Sequence, residues 1–156
     1  MSLRFRPLEA ELVAAVRAGA ADANGQPAER GISDGAHTPC RSCLRDVPAG
    51  HAMLILAARP FRTLTPYAET GPVFLCAEAC TPWTSDGVPP VLRASPDYLV
   101  KGYSRAERIV SGTGQVTPEG DVPSYVEALL DREDVSFVDV RSARNNCWLA
   151  RAVRVS

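Results

Sequence analysis

The run MLILAA at residues 53–58 is the segment that most restricts the fold. It is too continuous for a half-exposed strand and too short for a typical helix, so it reads as a central strand buried on both faces. Residues 59–72, RPFRTLTPYAETGP, then bring three prolines and cannot be regular throughout. Residues 73–77, VFLCA, return as a second apolar strand. If the two strands are antiparallel neighbours, the chain entering the first and the chain leaving the second lie at one end of the sheet. Residues 40–50 are then expected beside residue 80.

The other elements follow from periodicity and punctuation. Residues 7–17 read as a short helix, with Pro7 in its first turn, Leu8, Leu12 and Val16 along one face and Gly19 beyond its end. Residues 19–39 hold one large aliphatic, Ile32, among Gly, Pro, Asn and Asp and read as an irregular loop, as do residues 81–96. Short strands are expected at 98–103 and 108–111, followed by a turn at Gly112-Thr113-Gly114. That turn lacks the further residues of a dinucleotide or phosphate-loop motif. Asp121 stands where it would cap a helix over 122–132, in which Val122, Tyr125, Val126, Leu129 and Leu130 share a face. Residues 135–141 and 147–155 read as strands joined by a turn at Asn145-Asn146. Helices and strands do not alternate as a parallel doubly wound sheet requires. The expected fold is α+β, with a mostly antiparallel sheet of five or six strands and two helices. At 156 residues, 46% hydrophobic and 22% charged, residues 1–156 suit a single globular domain.

Seventeen basic residues against eighteen acidic ones leave a net charge of -1, so no global attraction draws this chain to nucleic acid or an anionic membrane. The longest apolar run, residues 52–58, is far shorter than a membrane span. The first twenty residues lack the apolar core of a secretory signal. A cytoplasmic location is expected, with neither membrane nor nucleic acid as partner. Sixteen of the basic residues are arginine and one is Lys101, a bias that suits carboxylate or phosphate ligands. In a chain with 22 alanines, genome composition is the simpler account of it.

Five cysteines, Cys40, Cys43, Cys76, Cys80 and Cys147, are an odd number, which fits no closed set of disulfides. Cys40 and Cys43 form a C-x-x-C that can chelate one edge of a zinc tetrahedron, and Cys76 and Cys80 follow with the less usual C-x-x-x-C spacing. His37 and His51 flank the first pair and could replace a member of the second. Three readings stay open. Free cysteines are often small buried hydrophobes, a reading that suits Cys147 and Cys76 well. Cys40, Cys43, Cys76 and Cys80 could ligate a metal, zinc foremost. Cys40 could instead be a redox nucleophile activated by Arg41 and Arg45, although the preceding loop is not the βαβ setting of a thioredoxin-like motif.

Tyr67, Glu69 and Thr70 lie in a proline-bounded loop, where with Arg59 or Arg141 they could form a pocket for a small polar or anionic ligand. The plainer alternative is a buried network in which Glu69 pairs with an arginine. Arg141, Arg144, Arg151 and Arg154 make the last strands basic and could pair with Asp131, Glu133 and Asp134. No catalytic triad can be assembled.

PCRSCL, MLILAARPF, PYAETGPVFLCAEAC and VDVRSARNNCWLARAVR, in that order, resemble a bacterial family of similar length, domain of unknown function 1203. The resemblance spans nearly the whole chain and implies one domain, with no activity, ligand or catalytic residue attached to it. It also implies that histidine often stands in place of Cys76, which weakens a fixed thiol role there and is compatible with metal ligation. The functional expectation is a cytoplasmic binding or regulatory module that can carry a structural zinc at its cysteines. The alternative is a small thiol-dependent enzyme using Cys40.

Overall fold

In the computed structural model, which describes residues 2–155, a five-stranded and a three-stranded antiparallel sheet share the chain with two helices. The elements run β1 (Ser2–Arg6), α1 (Ala10–Arg17), β2 (Glu29–Ile32), β3 (Ala52–Ala58), β4 (Gly71–Cys76) and β5 (Asp97–Tyr103), then β6 (Gln115–Pro118), α2 (Val122–Leu130), β7 (Phe137–Ser142) and β8 (Trp148–Val155). The larger sheet has the order β1-β8-β7-β5-β6 and the smaller one β2-β3-β4. The expected α+β class holds, but β3 and β4 form their own sheet with β2 instead of joining the C-terminal hairpin.

α2 places Val122, Val126, Leu129 and Leu130 against Phe5, Val100, Val138, Val140, Ala150 and Ala152 of the larger sheet, which makes one core. α1 places Val13 and Val16 with Leu54, Leu56, Val73 and Leu75 of the smaller sheet, and Cys40, Cys76 and Trp148 join this second core. The sheet face away from α2 carries a row of charge. Arg6 stands opposite Arg151, Arg151 opposite Asp139, and Asp139 opposite Lys101 across four adjacent strands.

Several expectations are corrected. β3 is covered on one face only: Leu54, Leu56 and Ala58 are buried while Met53, Ile55 and Ala57 are half-buried. β2 lies inside the 19–39 stretch read as irregular, and its Ile32 is exposed. Residues 108–111 make only an isolated bridge between Ile109 and Tyr103, because Glu107 and Gly112 at either end adopt positive φ and break the pleat. Their expected place is taken by β6. β1 pairs with β8 from the far end of the chain. α1 starts at Ala10, not at Pro7, since Glu9 is in an extended conformation (φ -60°, ψ 139°) and ends the helix there, while the Leu8 N–H reaches out to the Arg41 carbonyl at 2.9 Å. Asp121 makes no side-chain cap and has helical φ and ψ; a single 3-10 turn leads into α2, and Pro123 sits in the helix's first turn.

Candidate metal centre

Two segments deliver four thiols to the end of the smaller sheet. The first is a tight loop closed by Val47 N–H to Thr38 O, Cys40 N–H to Arg45 O and Leu44 N–H to Cys40 O, each 2.9 Å. Leu44 turns it at φ 56°, a left-handed conformation uncommon for a bulky side chain, which here is fully buried. The loop docks on β4 through a parallel bridge between Cys40 and Phe74 and through Arg41 N–H to Phe74 O at 3.0 Å. The second segment leaves β4. Cys76 stands opposite Met53 in the antiparallel register, so the entry to β3 and the exit from β4 share one end as strand polarity requires.

The sulfurs of Cys40, Cys43, Cys76 and Cys80 all lie within 4.8 Å of one another, and Cys40 Sγ is 3.8 Å from Cys80 Sγ. A disulfide needs about 2.05 Å. A zinc tetrahedron with Zn–S bonds of about 2.3 Å has S–S edges of about 3.8 Å. The spacing therefore fits ligands around an ion, and the four cysteines could hold a metal. All five cysteines are free thiols. Cys147 is half-buried and stands outside the cluster, contrary to its reading as a buried hydrophobe. Neither His37 nor His51 belongs to it.

The electrostatics of the cluster are uneven. Cys40 is fully buried, yet its thiol is held well below the ordinary thiol range, first by the Cys43 thiol and then by backbone N–H groups of Cys43, Cys76 and Ser42, against the cost of burial. The N–H groups of Cys76 and Ser42 lie 3.3 and 3.4 Å from Cys40 Sγ. Cys43 is pushed up, by its thiol bond to Cys40 and then by burial. Cys76 is pushed up by burial and then by the negative character of Cys40 and Cys80. Without a metal, thiolate character is favoured at Cys40 and disfavoured at Cys43 and Cys76.

One guanidinium contacts the cluster and a second lies close enough for Cys40 to act on it. Arg17, in the last turn of α1, donates from Nη2 to Cys80 Sγ at 3.2 Å and from Nε to Cys76 O at 3.1 Å. Arg41 is only 3% exposed and donates to the carbonyls of Trp148 and Pro39. Burial lowers its pKa to about 10, with Cys147 and Cys40 acting in the opposite direction, so it remains a cation at neutral pH. Among the described residues neither arginine forms an ion pair with a carboxylate. Arg17 carried no sequence signal, because its contacts lie some sixty positions away along the chain.

The structure divides the expected polar pocket. Glu69 pairs with Arg141 at 3.3 Å and with Lys101 at 3.2 Å. Tyr67 lies under the Arg108 guanidinium instead, 4.9 Å from its ring centroid. Arg59 lines a separate cavity beside Trp148. Of the C-terminal arginines, Arg144 pairs with Asp97 and Arg151 with Asp139, while Arg154 donates to the Arg132 and Val135 carbonyls. Among the described residues no helix is long and apolar enough to cross a membrane.

A family model described as Protein of unknown function (DUF1203) matches residues 37–154, a span that contains all four clustered cysteines and Arg41. No curated protein and no solved structure matches the chain. With the greater part of its length covered by that one model, the chain belongs to the domain of unknown function 1203 family.

Proposed function

We propose that this protein is a cytoplasmic binding module whose Cys40, Cys43, Cys76 and Cys80 hold one zinc ion in a structural tetrathiolate site. The observation that carries the reading is the mutual approach of the four sulfurs within 4.8 Å, from two segments that no disulfide joins. A closed set of four protein ligands is the pattern of structural zinc, whereas a catalytic site keeps a position open. Charge supports the same reading. Zinc held by four thiolates carries two negative charges, and Arg17 and Arg41 are two cations beside the cluster without carboxylate partners. Leaving Arg41 buried and uncompensated would be costly.

The rival thiol enzyme draws on the thiolate character of Cys40. A nucleophile must also be reached, and Cys40 is fully buried with backbone N–H groups directed at its sulfur. Those are the surroundings of a ligand. The five free thiols fit the reducing cytoplasm.

Elemental analysis of purified protein tests the reading. One zinc per chain is expected, lost in Cys40→Ser and Cys80→Ser and retained in Cys147→Ser. Metal-free protein in which Cys40 alone reacts rapidly with an alkylating reagent at neutral pH would establish the enzyme reading instead.

A further inference from the structure

A cavity of about 450 Å³ opens between the approach to α1, residues 59–63 and the ends of β7 and β8, on the charged side of the larger sheet. That volume lies in the range of small-molecule sites. Its wall carries more positive charge than the fold neutralises. Arg62 is paired with Glu9 and Arg151 with Asp139. The Glu107 carboxylate is used by the backbone N–H groups of Arg62 and Thr63, at 2.7 to 3.2 Å. Arg6, Arg59 and Arg105 are left with no carboxylate partner among the described residues. Arg6 also stands directly across from Arg151 on the neighbouring strand, a like-charged pair that by itself destabilises a sheet.

Two residues of the wall also hold donors that are fully buried behind it. Trp148 is 4% exposed, and its indole N–H meets no acceptor; the same holds for the buried Nε of Arg59. Buried donors of this kind are expected to have a partner. The remaining wall is apolar, built from Leu8, Leu12, Phe61 and Phe137. Phe137 is already stacked under the Arg151 guanidinium at 3.9 Å and so is held in place.

We propose that this cavity binds an organic anion: a flat apolar body against the leucine and phenylalanine side chains, and a carboxylate or phosphate head met by Arg59, Arg6 and Arg105. Arginine's planar fork suits either head. The site is independent of the cysteine cluster and of any metal there.

Isothermal titration calorimetry on the full chain with naphthoate, naphthyl phosphate and the neutral naphthalenemethanol tests the proposal. At least one of the two anions is expected to bind at one per chain, about tenfold or more tighter than the alcohol, since a charge-assisted contact is worth about that factor. Preference for naphthyl phosphate identifies a phosphate ester as the ligand class, and preference for naphthoate a carboxylic acid. Arg59→Gln and Arg105→Gln should each weaken the bound anion about fivefold or more. Arg105 is exposed, so its substitution tests the site even if Arg59→Gln folds poorly. Absence of saturable binding by both anions, equal affinity for the alcohol, or unchanged affinity in Arg105→Gln would overturn the proposal.

Discussion

Leu44 shows how one position sets the geometry of the cysteine loop. Its left-handed φ costs a branched side chain about 1–2 kcal/mol, which is offset by full burial against the α2 core. Leu44→Ala should therefore cost about 3 kcal/mol. Glycine would ordinarily cost about 1 kcal/mol beyond alanine, but relief of the left-handed strain cancels this, so Leu44→Gly should be no less stable than Leu44→Ala in urea unfolding. Asp22 ties the loop before β2 to β3 by accepting N–H bonds from Ala57, Gln26 and Asn24 at 2.9 to 3.0 Å, which hold its carboxyl below the ordinary range. A depressed carboxylate contributes stability above its unfolded pKa of about 3.9 and loses it as pH falls through the folded value. Asp22→Asn should lower the urea midpoint at neutral pH, and the difference should shrink as pH falls below the ordinary carboxylate range.

Among the elements, the pairing of β7 with β8 places a carboxylate in a fully buried position. Asp139 is 0% exposed and receives Arg151 through two bonds, Nε at 2.7 Å and Nη2 at 3.1 Å, while Nη2 also donates to Pro60 O. Removing one partner leaves the other charge desolvated, so Asp139→Leu or Arg151→Met alone should each cost about 3 kcal/mol. The double variant removes both charges and should be less destabilised than either single one. A thermodynamic cycle from the four urea curves checks this, and additive losses would show that the pair is solvated after all. The same interstrand register leaves Arg6 facing Arg151 at the cavity, so pairing between these elements sets both the local stability and the charge of the wall.

For the whole molecule, the cysteine cluster joins three parts of the fold: the 38–47 loop, the end of β4 and, through Arg17, the last turn of α1. A ligand that binds only the folded state at a hundredfold excess over its Kd adds about 2.7 kcal/mol. For a domain of this size that corresponds to about 5–10 °C in Tm. Stripping zinc with a strong chelator should lower Tm by that amount, reversibly on adding zinc back, and equally in Cys147→Ser. Differential scanning fluorimetry with and without chelator measures it, and an unchanged Tm would remove the structural role assigned to the metal.

Local pattern alone determined the segments whose side chains report their own burial: the run that became β3, the return that became β4, the apolar face of α2 and the C-terminal hairpin. Strand polarity then brought Cys40 and Cys43 to Cys80, because antiparallel neighbours must exchange ends. What lay beyond local pattern has partners far along the chain. β1 is a strand only because β8 offers it an edge, and β2 only because β3 does. Arg17 meets the cluster, Glu69 chooses Arg141 and Arg59 shares a cavity wall with Trp148, through approaches that no short window contains. Side-chain chemistry is local and was legible; which side chains meet depends on how the two sheets pack, and that is settled only when both cores close.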